Sequence, residues 1–289
     1  MTLSPAYSDD LVTVYHCDHA TLAAHLRETG VMCDALVTDC PYSERTHVGH
    51  DDGAATANRA KDFAERNAGA SGHRKWQASY SGGEKGERRT LDYRPWTEAD
   101  VGAFVADWSP VVRGWWVSLT DHVLAPAWER YYGEAFLYSF APLACVEPGS
   151  RVRMTGDGPC NWSCWALVAR PRTREFSSWG ALPGAYVTPP GMAEVSRRVR
   201  WVGGKPVWLI RALVRDYSRA GALIVDPCCG AGTLGVAVRY EGRRAILADR
   251  DEAAVLTTIK RLRGERTKPV NSDLPADAPH ALSLFREVG

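Results

Sequence analysis

The 289-residue chain contains no apolar run approaching the roughly 18 residues that a membrane span requires. Its first residues, MTLSPAYSDDLVTVYH, lack the basic-then-apolar layout of an export signal. A cytoplasmic protein with no membrane partner is therefore expected. Net charge is nearly absent as well: 35 basic residues face 34 acidic ones, for a balance of +1. The total thus names no class of partner, and only the distribution of charge can. Cys160-x-x-x-Cys164 has no matching second pair among the eight cysteines, so neither zinc nor any other metal is expected. Cytosolic thiols stay reduced, which argues against disulfides. His47, His50, Asp51 and Asp52 read as a solvated polar loop. No Gly-Lys-Ser/Thr follows a glycine-rich turn, which excludes a P-loop nucleotide triphosphatase. No internal repeat is found. What remains is ordinary for a soluble globular chain, with 45% hydrophobic and 24% charged residues and ample material for a core.

The order of patterns is that of a parallel α/β sheet. A strand over 11–18 (LVTVYHCD), a helix over 20–29 and a buried strand over 34–38 fill fewer than forty residues. From 43 to 95 apolar residues become sparse, as expected of a long mobile loop insertion. A helix near 97–110, a strand over 114–119 and a helix over 122–133 follow. Two strand candidates, AFLYSFAPLACVEP and NWSCWALVARP, flank a turn-rich stretch and suggest an antiparallel hairpin at a sheet edge. Residues 171–200 read as a basic loop region. Then come a helix over 205–219, a strand over 222–226, a helix to about 241, a strand over 244–249 and a helix over 251–264. The Pro-rich 265–289 reads as a flexible tail. Residues 1–264 are expected to form one domain.

The most informative stretch is LIVDPCCGAGTLGVAVRYEGRRAILADRDE. A buried strand ends at Asp226, Gly230-Ala231-Gly232-Thr233 opens a helix, and the next strand ends at Asp249, about 20 residues beyond the glycines. Glycines at such a turn let a ligand approach the backbone, and the exposed N–H groups of the helix start attract polar groups. An acid at the following strand tip can accept from both hydroxyls of a ribose. A dinucleotide would want a third glycine in G-x-G-x-x-G register, and Leu234-Gly235 is out of register. Asp226 beside the turn suits a ligand with an ammonium end and a ribose, as in S-adenosylmethionine, better than a pyrophosphate.

A second strand tip carries Asp39-Cys40-Pro41-Tyr42. This quartet resembles the Asp-Pro-Pro-Tyr motif of the DNA amino-methyltransferases, which methylate exocyclic nitrogens of adenine or cytosine. DPCCGAGT resembles that family's Asp-Pro-Phe-x-Gly-Ser-Gly-Thr turn, GGKPVWLIRALV its Lys-Pro helix, and YHCD the strand tip ahead of the catalytic strand. The catalytic motif comes first and the cofactor motif last, which corresponds to the circularly permuted beta class. The resemblance implies a Rossmann-like methyltransferase fold, with a mixed, mostly parallel sheet and an antiparallel edge hairpin. It implies that the Asp39 carboxylate and the Cys40 carbonyl accept the amine hydrogens of a flipped-out base, with Pro41 rigid between them and Tyr42 stacked on the ring. It assigns Asp18, Lys205, Asp226, Cys228, Gly230, Gly232, Thr233 and Asp249 to S-adenosylmethionine. Asp18 and Asp251 could equally be helix caps, and Lys205 a solvated lysine. The chain departs from the family at Cys40, where proline is usual. Cytosine-C5 enzymes place a nucleophilic cysteine after proline, whereas Cys40 precedes it beside an acid.

The resemblance further implies double-stranded DNA as partner, and adenine N6 as target, because aspartate opens the quartet where N4-cytosine enzymes more often have serine. N4-cytosine, RNA or protein methylation, and a non-catalytic nucleic-acid-binding subunit that kept the fold are the alternatives. A homodimer and a cognate restriction enzyme are possible partners. Between 151 and 215 eleven basic residues face three acidic ones. Arg172, Arg174, Arg197, Arg198 and Arg200 in this stretch, with Arg45 in the long loop, are the candidate nucleic-acid contacts. Residues 171–200 would form a short target-recognition region. Trp115, Trp116, Trp162 and Trp165 sit in strand-like runs and are expected in the core.

Overall fold

The computed structural model describes residues 3–48, 93–148, 159, 161–189 and 204–264. Most of the expected long loop, the basic 190–203 and the tail lie outside the described residues. Among the described residues, no helix is long and apolar enough to cross a membrane.

One sheet organises the fold. Its strands are β1 (Tyr7–Ser8), β2 (Val12–His16), β3 (Cys33–Asp39), β4 (Val112–Thr120), β5 (Leu137–Ser139), β6 (Leu143–Val146), β7 (Ser163–Pro171), β8 (Ala185–Val187), β9 (Leu223–Asp226) and β10 (Arg244–Asp249). The spatial order is β1-β2-β10-β9-β3-β4-β7-β6-β8, with β5 also on β7. The five central strands β2, β10, β9, β3 and β4 are mutually parallel. β1 is antiparallel to β2 at one margin. At the other, β7 runs antiparallel to β4, β5 and β6.

Helices cover both faces because the buried strands carry apolar side chains on both sides. On β4, Trp115, Val117 and Leu119 point to one cluster and Trp116 to the other, the two-residue alternation of a strand. The first face receives α4 (Val207–Tyr217), α5 (Thr233–Glu241) and α6 (Glu252–Leu262) through Leu213, Val214, Leu234, Val238 and Ile259. The second receives α1 (His19–Glu28), α2 (Glu98–Trp108) and α3 (Ala125–Glu134) through Leu22, Leu26, Phe104, Trp108 and Trp128. Three of these helices start where a local donor problem is solved. Asp18 caps α1, Thr97 and Asp100 form a reciprocal capping box on α2, and Asp251 caps α6. Gly114 is required by close approach, since a Cβ there would lie 1.9 Å from the Asp34 carbonyl oxygen at the irregular β3–β4 rung.

The path reverses between β3 and β9. From β3 the chain crosses by α2 to β4 on one side, and from β9 it crosses by α5 to β10 on the other, with the helices on opposite faces. Such a reversal leaves a crevice outside the strands' C-terminal ends. Asp39 and Asp226 stand at that crevice.

The expected antiparallel edge is present as β6–β7, and β7 is long enough to pair with β4 and β5 as well. Two expectations need correction. The basic stretch after 171 is not wholly loop: a 3-10 helix (Arg174–Ser178) and β8 lie in it, and β8 binds β6 through main-chain bonds that leave little trace in a three-residue pattern. Trp162 is 45% exposed, because it precedes the first residue of β7, while Trp115 and Trp116 are buried as expected.

Leu213 of α4 is fully buried in the first cluster. Leu213→Ala is expected to lower stability by about 2–5 kcal/mol through lost transfer energy and a residual cavity. Urea unfolding should show a lower midpoint with an unchanged slope.

Candidate active site

The C-terminal ends of β3 and β9 deliver two carboxylates side by side, since Leu36 pairs with Val225 in parallel register. Thr38 ties them, its hydroxyl donating to Asp226 Oδ1 at 2.8 Å. The Cys228 N–H donates to the same oxygen at 3.2 Å. Burial pushes the Asp226 carboxyl up to about 7, against the pull of those two hydrogen bonds. Asp249, at the end of β10, is also raised by burial and accepts from the Gly230 N–H at 2.8 Å and from the Asp251 N–H at 2.9 Å. The second acid thus shapes the glycine turn.

The turn itself is held from below. Gly232 has φ +69°, and a Cβ there would lie 2.4 Å from Thr258 Cγ2. Thr258 donates to the Gly230 carbonyl at 2.9 Å, and Arg261 donates to the Ala231 carbonyl. Thr233 is the first residue of α5, so the N-terminal N–H groups of that helix open toward the crevice.

Across the seam, Lys205 Nζ donates to Asp39 Oδ2 at 2.6 Å and lies 4.8 Å from the centre of the Tyr42 ring. Burial opposes the lysine charge, but Asp39 and Cys164 outweigh it, and the ammonium titrates above the ordinary lysine range. Asp39 Oδ1 and Tyr42 Oη are buried without a hydrogen-bond partner. One carboxylate oxygen is thus taken and the other is left as an acceptor. The Cys40 side chain turns into the second core cluster, with Sγ 3.6 Å from Thr38 Oγ1 and beside the Cys228 thiol.

Sequence reasoning overlooked Asp121, just beyond β4. Its carboxylate accepts from the Ser43 N–H and hydroxyl, the Thr46 hydroxyl and the N–H groups of Val123 and Leu124. It therefore clamps the segment that follows Tyr42. The signal was present, since SLTD repeats the strand-then-acid pattern read at the other tips. Tyr93, also overlooked, sits close to Asp39, Lys205, Asp249 and Cys228. Its hydroxyl is pushed up to about 12, by burial first and by Asp39 next. Nothing in its local sequence marked it.

The structure thus brings together Asp39, Cys40, Tyr42, Lys205, Asp226, Cys228, Gly230 and Asp249. Pro41 leads from Cys40 to Tyr42. Asp18 serves as the α1 cap, accepting from the Thr21 N–H and hydroxyl, which engages both of its oxygens. Arg45 is exposed on the helical turn 44–48. Arg172 lies just past the end of β7. Because β7 runs antiparallel to β4, that end is opposite the one holding Asp39, so the crevice does not include Arg172. The Arg174 side chain, Arg197, Arg198 and Arg200 lie outside the described residues. Among the described residues, no group of three or more His, Cys, Asp or Glu is placed to hold a metal.

Residues 193–260 match the DNA methylase family that covers N6 and N4 enzymes. No curated protein sequence matches the chain at a significant level. Several solved structures share its fold. M1.HpyAVI in complex with S-adenosylmethionine superposes with a TM-score of 0.57 at 14% identity, covering 87% of this chain and 99% of that one. TTHA0409 of Thermus thermophilus, assigned as a putative DNA modification methylase and also complexed with S-adenosylmethionine, gives 0.52 at 15% identity, covering 89% and 95%. The cytosine-N4-specific PvuII DNA methyltransferase gives 0.53 at 10% identity, covering 90% and 89%. The methyltransferase fold and the likeness to the N6/N4 DNA methylases, both expected from the motifs, are borne out.

Asp121→Ala should release the segment after Tyr42 without unfolding the sheet. Amide exchange at Ser43, Val123 and Leu124 is expected to rise by about tenfold or more, as the loss of more than one hydrogen bond implies. Exchange in β3 and β9 should stay slow.

Proposed function

We propose, from a chain that has the methyltransferase fold and matches the DNA methylases over 193–260, that it transfers methyl groups from S-adenosylmethionine to adenine N6 of DNA. The observation that carries this reading is the pairing at the crevice of a half-satisfied carboxylate, Asp39, with the aromatic ring of Tyr42, Lys205 touching both.

An exocyclic amine is a weak nucleophile because its lone pair is delocalised into the ring. Acceptors that take both amine hydrogens favour a tetrahedral nitrogen whose lone pair is free to attack. Asp39 Oδ1 and the Cys40 carbonyl are the two acceptors in this reading. Lys205 holds Oδ2 and so fixes the plane of the carboxylate. Tyr42 offers its face to the base, which offsets the few kcal/mol lost on unstacking. Asp121, through Ser43 and Thr46, keeps Tyr42 in place. Beyond this, the reaction needs proximity and alignment more than acid–base chemistry.

The glycine turn fits the methyl donor. The N-terminal N–H groups of α5 open beside it, buried Asp226 offers a carboxylate for an ammonium end, and Asp249 keeps spare lone pairs beside Gly230 for ribose hydroxyls. When bound, S-adenosylmethionine supplies an electrophilic methyl group on a sulfonium.

The choice of adenine rests on aspartate opening the quartet. Nucleosides from a methylation-deficient host expressing the chain should contain N6-methyladenine, and those from an Asp39→Ala strain should not. N4-methylcytosine would keep the mechanism and overturn the base. Neither product, from soluble protein that binds the donor, would overturn DNA methylation without a further partner.

Asp226 supplies a pH test. Its carboxyl is neutral below about 7 and can attract an ammonium only when ionised. Donor affinity is therefore expected to strengthen roughly tenfold between about pH 6 and about pH 8. Asp226→Asn should bind weakly and remove that dependence, as calorimetry can read.

A further inference from the structure

Two thiols to which the reading above gives no role lie beside the Asp39–Lys205 pair. Cys145 of β6 stands directly opposite Cys164 of antiparallel β7. Two residues along, the Glu147 N–H donates to the Trp162 carbonyl at 2.8 Å, so the Cys145–Cys164 rung is of the same hydrogen-bonded type. Cα atoms of such a rung are about 5.5 Å apart, inside the disulfide range of about 4.4–6.8 Å. Directly opposed side chains also share a face of the sheet. The neighbouring rung joins Trp165 to Thr120, the last residue of β4, which puts the thiols at the end of the sheet where Asp39 lies.

Both cysteines are free thiols; Cys145 is buried and Cys164 only partly so. Both feel burial and the Lys205 ammonium, and the two share one hydrogen bond. A hydrogen bond with Cys145 and the Lys205 ammonium pull the Cys164 thiol below its ordinary range, although burial opposes them. The same hydrogen bond, with burial, pushes Cys145 upward. The Lys205 ammonium favours a thiolate in the pair, and the opposed second sulfur is placed to resolve an oxidised first one. In the other thiol pair, Cys40 against Cys228, the Cys40 contact and burial hold Cys228 protonated.

We propose that Cys164 and Cys145 form an oxidisable dithiol, a modification site for a hydroperoxide. The Cys164 thiolate attacks one peroxide oxygen, the O–O bond breaks, and the leaving oxygen takes a proton and departs as water (or as an alcohol from an organic peroxide). The resulting sulfenic acid is attacked by the Cys145 sulfur, forming the S–S bond and releasing a second water. Two thiols lose two electrons and the peroxide gains them. Opposed Cβ atoms sit about 4.5–5.5 Å apart and a disulfide wants about 3.5–4.5 Å, so the strands must draw together by about 1 Å. The bond is correspondingly easy to reduce, which suits a reversible modification. Its formation removes an anionic sulfur from beside Lys205 and shifts the group that holds Asp39. That effect on turnover rests on the function proposed above, while the dithiol itself does not.

The full chain is treated with hydrogen peroxide under native conditions, remaining thiols are blocked, and peptides are mapped by mass spectrometry. A Cys145–Cys164 link, with loss of two hydrogens and reversal by dithiothreitol, is expected. Cys164→Ser should react at least about tenfold more slowly, and Cys145→Ser should stop at a Cys164 sulfenic acid trapped by dimedone. A link between Cys40 and Cys228, intact thiols, or an unchanged rate in Cys164→Ser would overturn the proposal. Methyl transfer by the oxidised chain should fall about tenfold and recover on reduction, one decade being about 1.4 kcal/mol. Unchanged transfer by the linked chain would overturn the coupling to Lys205. Absence of transfer before and after would count against the methylation reading alone, since the link is read by mass.

Discussion

The seam between β3 and β9 is the constraint on which the site depends. Parallel strands must be joined by crossovers, and here the crossovers leave the seam in opposite directions with helices on opposite faces. A crevice is then left outside the strand ends at the seam. The Thr38–Asp226 hydrogen bond closes it at 2.8 Å and aligns the two tips. A one-residue slip would turn Asp39 to the opposite face of its strand and separate it from both Lys205 and Asp226.

Charge at the seam is managed unevenly. Asp39 has an ammonium partner and keeps one oxygen unpaired. Asp226 has only a hydroxyl and an N–H, and burial lifts its carboxyl to about 7. A buried carboxylate without a counter-ion is costly. In the folded chain Asp226 holds its proton to higher pH than an exposed aspartate does, so its contribution to stability falls as pH rises between about 4 and about 7. A cationic ligand end would supply the missing partner.

The parallel strands share one device. β2, β3, β4, β9 and β10 each end at an aspartate or run into one, namely Asp18, Asp39, Asp121, Asp226 and Asp249. Their uses diverge with what lies nearby. Asp18 meets the start of a helix and caps it, and Asp121 meets a loop and clamps it. Asp249 meets the glycine turn and shapes it, while Asp39 meets a lysine and keeps a free lone pair. The same side chain at the same kind of position thus serves structure at one strand and the crevice at the next.

By itself, the sequence determined what repeats locally. Alternation and helical spacing marked the five parallel strands and six helices to within a few residues, and the motifs at Asp39–Tyr42 and Asp226–Thr233 marked the crevice, because such patterns are written in neighbouring residues. Only the tertiary structure decided what depends on residues distant in the chain. It placed Lys205 on Asp39 across 166 positions, recruited Asp121 and Tyr93, set Cys145 against Cys164, and carried Arg172 to the far end of the sheet. Strand order and direction settle such encounters, and no local pattern encodes them.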